Sequence, residues 1–214
     1  MNTNPKAKRI LCYGDSNVWG QIPGTFERYD ATIRWTSLLQ QLLANDYEII
    51  EEGLPGRTAA IDDPENEGKN GATYLKSCLP SHSPLDLVVL MLGTNDIKKR
   101  YAKTPSQITQ DIEELLSLIK NPEFNYNKNP DVILLSPPIV DESVNGVQEK
   151  YLGSEEKSKN LAQYYQKVAE KYNCEFVDTA KYVTSSKIDG YHWEPEAHQK
   201  LAEVLAERIK KIYG

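Results

Sequence analysis

The sequence has no apolar run near the roughly 18 residues that cross a bilayer, no long block of lysines and arginines, and only three cysteines. Each absence removes a class of protein. Lack of a long apolar run argues against a membrane-embedded chain. With 25 basic against 31 acidic residues, a formal charge of −6, and no long basic block, the chain carries no electrostatic footprint for phosphate backbones, so neither nucleic acid nor an anionic membrane surface is expected as a partner. Cys12, Cys78 and Cys174 are odd in number, widely spaced and form no C-x-x-C pair. That argues against a disulfide framework or a zinc ribbon and leaves reduced, mostly buried thiols. Internal repeats and low-complexity segments are also missing. The N-terminal stretch is polar and basic, but the apolar segment behind it, Ile10 to Tyr13, is too short for a secretory signal, so a cytoplasmic location is expected.

What is present describes a globular chain. The 214 residues are 39% hydrophobic and 26% charged, with a mean hydropathy of −0.58, which suits one domain spanning residues 1–214. A chain of this mass buries about 70% of its unfolded surface and needs no covalent staple.

Short apolar runs alternate with helical patterns. Strands are expected over Lys8 to Tyr13, Tyr47 to Ile50, Leu87 to Leu92, Val132 to Leu135 and Glu175 to Val177. The third and fourth are continuously apolar, as strands buried on both faces are. Helices are expected over Ile33 to Leu43, Ala72 to Leu79, Ser106 to Ile119, Glu155 to Tyr172 and Glu196 to Ile212. The third of these is the clearest: Thr104 caps it, Pro105 opens it, Gln107 completes a capping box, and Ile108, Ile112, Leu115 and Ile119 form one apolar stripe. Strands alternating with helices imply right-handed crossovers and a three-layer α/β/α sandwich around a five-stranded parallel sheet, flavodoxin-like in outline. In such sheets ligands bind where loops converge at the carboxyl ends of the strands.

Three of those ends carry small and polar residues. The first strand runs into Gly14-Asp15-Ser16-Asn17, the second into Glu51-Glu52-Gly53-Leu54-Pro55-Gly56-Arg57-Thr58, and the third into Gly93-Thr94-Asn95-Asp96. Each alone is compatible with ordinary turn geometry, with Ser16 as a helix cap. The decisive addition is Asp189-Gly190-Tyr191-His192 before the last helix. A serine hydroxyl needs a base to take its proton, and an imidazole needs a carboxylate to fix its tautomer; Asp189 and His192 supply both from one loop. A metal reading of His192, Glu194 and His198 is disfavoured, because Pro195 opens the helix, leaving His192 outside it and His198 on it without H-E-x-x-H spacing. His198 reads as an anchoring residue.

These blocks, in this order across nearly the whole chain, resemble the SGNH hydrolases, also called GDSL-type esterases and lipases. Within that family, Arg34-Trp35-Thr36, Ile50 to Leu54 and Leu85-Asp86-Leu87 resemble the arylesterase and acyltransferase subgroup. The resemblance implies Ser16 as nucleophile, His192 as base and Asp189 as the orienting acid, with Ser16, Gly53 and Asn95 forming the oxyanion hole. It implies a small ester substrate and no metal or organic cofactor. Asn17 stands where the family motif has leucine and Glu51 where many relatives have asparagine. Asn17, Tyr191 and Trp193 are expected to line the substrate pocket.

The function expected is a serine esterase acting on short-chain carboxylic esters through an acyl-enzyme, with transfer to an alcohol or peroxide in competition with water. A carbohydrate O-deacetylase of the same family, a non-catalytic flavodoxin-like binding module and a catalytically silent relative are the alternatives. Assembly into a homo-oligomer is left open by the sequence.

Overall fold

The computed structural model describes residues 2–126 and 128–214. Along the chain it runs β1 (Lys8–Gly14), α1 (Ser16–Trp19), α2 (Trp35–Leu43), β2 (Tyr47–Gly53), α3 (Gly71–His82), β3 (Leu87–Met91), α4 (Pro105–Ile119), β4 (Asp131–Leu135), α5 (Val147–Tyr151), α6 (Ser154–Lys171), β5 (Glu175–Val177) and α7 (Pro195–Tyr213). The five strands form one sheet in the order β2-β1-β3-β4-β5, and every pair is parallel. The order reverses between β1 and β3, so the crevice above those two strands is the switch point at which such sheets take ligands.

Side chains alternate across the sheet and so build two cores. Leu11, Tyr13, Val88, Leu90, Val132 and Leu134 face the layer made by α3, α4 and α6. Their neighbours Ile10, Cys12, Leu87, Val89, Ile133 and Leu135 face α2 and α7. Both faces are buried, which is why β3 and β4 read as unbroken apolar runs.

Helix α4 shows how local signals and packing agree. Thr104 Oγ1 accepts the N–H of Gln107 at 3.3 Å and Gln107 Oε1 accepts the N–H of Thr104 at 2.9 Å, satisfying two otherwise orphaned donors. Ile108, Ile112, Leu115 and Ile119 are all fully buried, so truncating any one to alanine would cost about 2–5 kcal/mol.

Strand β2 extends to Gly53 rather than stopping at Ile50. Its two added carboxylates hid the strand pattern because each is held by side chains. Glu51 accepts Arg28 at 3.1 Å and Arg34 at 3.0 Å, while Glu52 meets His82 at 2.8 Å and Tyr74 at 3.2 Å. No helix among the described residues is long and apolar enough to cross a membrane.

Candidate active site

Strand β1 delivers Ser16 to the switch point as the first residue of the short helix α1. The helix cap is Asp15, whose Oδ1 accepts the N–H of Asn17 at 3.0 Å. Ser16 is therefore free of capping duty, and its side chain turns to His192. Ser16 Oγ lies 2.8 Å from His192 Nε2, and His192 Nδ1 lies 2.6 Å from Asp189 Oδ2. Asp189 also accepts the N–H of His192 at 3.0 Å and of Gly24 at 2.8 Å. Burial would raise the Asp189 carboxyl, but the hydrogen bond and charge of His192, with the Gly24 N–H, outweigh it and hold the group below the usual carboxylate range. An ionised carboxylate can only accept, so Nδ1 carries the proton and Nε2 is left to accept from the serine hydroxyl.

Asn95 reaches the same point from the loop after β3. Its Nδ2 donates to the Arg57 carbonyl at 2.9 Å, and its Oδ1 accepts from Lys98 Nζ at 2.6 Å. An ammonium has no acceptor, so this contact fixes which way the amide faces. One of the two amide hydrogens is spent on Arg57, and the other remains for a ligand.

Gly53 does not join this group. A Cβ there would overlap the backbone of Trp19, so the glycine is required for α1 to pack on β2. The Leu54 N–H points to β1, donating to the Gly14 carbonyl at 3.1 Å; strand alternation turns the Gly53 N–H the other way, toward the open edge beside β2. Gly56, with φ +82°, lines the cleft with Ser16, Asn95 and His192 instead. Among the described residues the N–H groups of Ser16 and Gly56 have no acceptor within the protein. The Gly56 turn is pinned by the buried Arg57, whose guanidinium donates to the carbonyls of Gly14, at 2.9 Å, and Glu52 and lies 4.2 Å from the centre of the Tyr13 ring.

Two residues expected in the pocket wall serve the scaffold. Trp193 is fully buried in the core between the sheet and α7, because the chain turns inward directly after His192. Asn17 is 1% exposed; its Nδ2 donates to the Tyr191 carbonyl at 3.0 Å, and its own carbonyl accepts the Trp35 indole N–H at 3.0 Å. It ties α1 to the loop that carries His192. Tyr191 does line the cleft, its ring 4.7 Å from that of Tyr151 and 4.6 Å from that of His192. His198 is buried on α7 with Nδ1 accepting the Trp35 N–H at 3.3 Å, and burial pushes its imidazole down to about 4. It is a neutral anchor.

The cleft holds about 540 Å3, enough for a small ester. Sequence reasoning passed over Gly56, Lys98 and Tyr151, which also line it. Glycine in the segment Leu54 to Thr58 was the available signal for the first, and nothing in the sequence marks the other two. Elsewhere, Glu52, Cys78 and His82 place potential ligand atoms within 4.8 Å of one another, although Glu52 and His82 already satisfy each other. All three cysteines are free, with Cys12 and Cys78 buried.

Residues 12–200 match the model of the GDSL-like Lipase/Acylhydrolase family. An aryl esterase from M. smegmatis, solved with an inhibitor bound, is 37% identical with a TM-score of 0.91, over 96% of this chain and 99% of that one. A carbohydrate acetylesterase from Sinorhizobium meliloti is 34% identical with a TM-score of 0.91, over 96% of this chain and all 100% of the other. A lipase/acylhydrolase from Enterococcus faecalis, at 20% identity and a TM-score of 0.68 over 96% of each chain, shares the fold. No curated protein sequence matches the chain.

Proposed function

The chain belongs to the GDSL-like lipase/acylhydrolase family and is a hydrolase of ester bonds, and from that premise we propose that it cleaves short-chain esters through Ser16, His192 and Asp189. The observation that carries this reading is the unbroken hydrogen-bonded line from Asp189 through His192 to Ser16, ending in an open cleft. Ser16 Oγ attacks the carbonyl carbon as His192 Nε2 takes its proton, and Asp189 stabilises the imidazolium formed. His192 then returns the proton to the leaving alcohol. A water, deprotonated by the same imidazole, cleaves the acyl-enzyme and restores the serine.

The negative charge on the tetrahedral oxygen is met by the N–H groups of Ser16 and Gly56 and by the free amide hydrogen of Asn95. Gly56 takes the part that the sequence suggested for Gly53. Donors held in place before the reaction cost no reorganisation when the charge forms, so they lower the barrier more than they tighten substrate binding.

A short acyl group fits a cleft of this size lined by both polar and aromatic groups. A panel of p-nitrophenyl esters tests this: acetate and butyrate should be cleaved with higher kcat/KM than palmitate. A preference for the long chain would redirect the reading to a lipase. The carbohydrate acetylesterase relative favours a second reading, removal of acetyl groups from sugars, which acetate release from acetylated sugars would test. Transfer to an alcohol or peroxide in place of water is the third outcome the same acyl-enzyme allows, and product analysis with each acceptor present measures it.

A further inference from the structure

The cleft has the opposite charge balance from the chain as a whole. Lys69, Lys98, Lys99, Lys150 and Arg100 line it, against Asp63, Glu65 and Glu149. Arg100 is paired to Asp63 and, at 2.7 Å, to Glu65, so two of the three acids and one of the five cations are spent on each other. The four lysines form no ion pair among the described residues. Glu149 is the one acid in the wall left to face them.

Their placement is specific. The Lys98 ammonium touches Asn95 Oδ1, and the stem of Lys69 runs past Gly56, 3.6 Å from where a Cβ there would stand. Two cations therefore flank the two groups that reach the Ser16 cleft from β2 and β3. Lys98 is largely buried, and burial, with the charges of Arg100 and Lys150 nearby, pushes its ammonium down to about 8; the buried Asp15 and Asp63 act the other way. A cation taken out of water without a carboxylate in contact is costly to keep unless something else brings the countercharge. At the mouth of a substrate cleft that something is the substrate.

We propose that the physiological substrate is an ester whose alcohol part carries an anionic group, a carboxylate or a phosphate, seated among Lys69, Lys98, Lys99 and Lys150. The inference rests on the ester-hydrolase reading of this cleft. Because that reading keeps the acyl group short, the charged group belongs to the larger, leaving part. Tyr151 and Tyr191 supply apolar contact for the body of that alcohol.

Three acetate esters test it: 4-carboxyphenyl acetate, 4-acetoxyphenyl phosphate and the neutral 4-(methoxycarbonyl)phenyl acetate. Wild-type protein should favour the anionic esters in kcat/KM by roughly tenfold over their ratio of spontaneous hydrolysis rates, mainly through KM. Raising ionic strength from about 0.01 M to about 1 M should erase most of that advantage. In Lys69→Glu, Lys99→Glu and Lys150→Glu, singly and combined, the anionic-to-neutral ratio should fall in step with the charge reversed, whereas Lys167→Glu, exposed on α6, should leave it unchanged. Which anionic ester leads separates carboxylate from phosphate. Equal treatment of charged and neutral esters, insensitive to salt and to the substitutions, overturns the inference while leaving ester hydrolysis intact.

Binding gives a readout independent of turnover. Calorimetry on Ser16→Ala protein should show 4-hydroxybenzoate bound more tightly than its methyl ester; equal affinities overturn the inference even if no ester is cleaved.

Discussion

The two ends of the sheet are built from the same strands and treat polar groups in opposite ways. At the amino end the charges borne by the strands are paired. Asp86 takes Lys8 at 3.1 Å, Lys128 at 2.8 Å and the Arg9 N–H at 2.9 Å, Arg9 meets Glu48 at 3.0 Å, and the Tyr213 hydroxyl spans to Asp86 and Asp131 at 2.9 Å each. At the carboxyl end, buried polar atoms stand without partners among the described residues: Asn17 Oδ1, Arg57 Nε, Asp96 Oδ2, Trp193 Nε1 and His198 Nε2. Unsatisfied buried groups cost stability, and these lie on α1, on the first turn of α7 and in the loops around Ser16 and His192. The amino end is arranged for holding the fold, the carboxyl end for acting on a ligand.

If that division is right, substitutions at one end should separate from those at the other. The largest effect belongs to Ser16→Ala, which should lower kcat roughly 10⁶-fold with an unchanged melting temperature; near wild-type turnover would remove the nucleophile from the account. Asn95→Ala should lower kcat about 10² to 10³-fold, or roughly 3 kcal/mol, with KM changed only a few-fold. Lys98→Met should follow with about a tenfold loss in kcat, since a charge-assisted hydrogen bond to Asn95 is removed.

Lys98 also gives the comparison a pH signature. Its ammonium is pushed down to about 8, so wild-type kcat should decline as pH rises through that value, when the amine no longer polarises the Asn95 amide. The same limb should be missing from Lys98→Met. A limb that persists in the variant would assign it to another group.

The smallest catalytic effect, and a clear thermodynamic one, is expected from the amino end. Asp86→Ala leaves the Arg9 N–H and two lysines unpaired and should cost about 1–3 kcal/mol of stability, with kcat per folded molecule unchanged. Burial would raise the Asp86 carboxyl, but its bonds from Lys128, Arg9 and Lys8 outweigh that and hold it low. The stability it contributes is therefore full above the ordinary carboxylate range and is lost as pH falls through the lowered value. Acid unfolding of the variant should start from a lower plateau and show a shallower slope.

The sequence announced the amino-to-carboxyl polarity of the sheet more clearly than the details of its working end. Continuous apolar runs marked β3 and β4, and the capping box marked α4, because those signals depend on residues near in sequence. Ser16 and Asn95 could be gathered into one proposed site from the sequence because they follow β1 and β3, and Asp189 and His192 because they share the loop before α7. The resemblance pointed to Gly53 rather than Gly56, since the two stand three residues apart and only the structure puts Gly53 at the end of β2 and Gly56 in the turn that lines the cleft. Trp193 looked like a pocket wall because it follows His192; whether a bulky side chain enters the core or the cleft depends on the packing of α7. Lys98 stands only three residues from Asn95, and it is the turn between them, closed by the Lys98 N–H on the Asn95 carbonyl, that sets its ammonium on the Asn95 amide.

The most direct test of the division is to measure thermal unfolding and kcat together on Asn95→Ala and Asp86→Ala. The expected result is crossed: a normal melting temperature with a crippled kcat for Asn95→Ala, and a lowered melting temperature with a normal kcat per folded molecule for Asp86→Ala. If Asn95→Ala instead loses stability while each folded molecule turns over normally, the two ends do not divide the work, and Asn95 belongs to the scaffold.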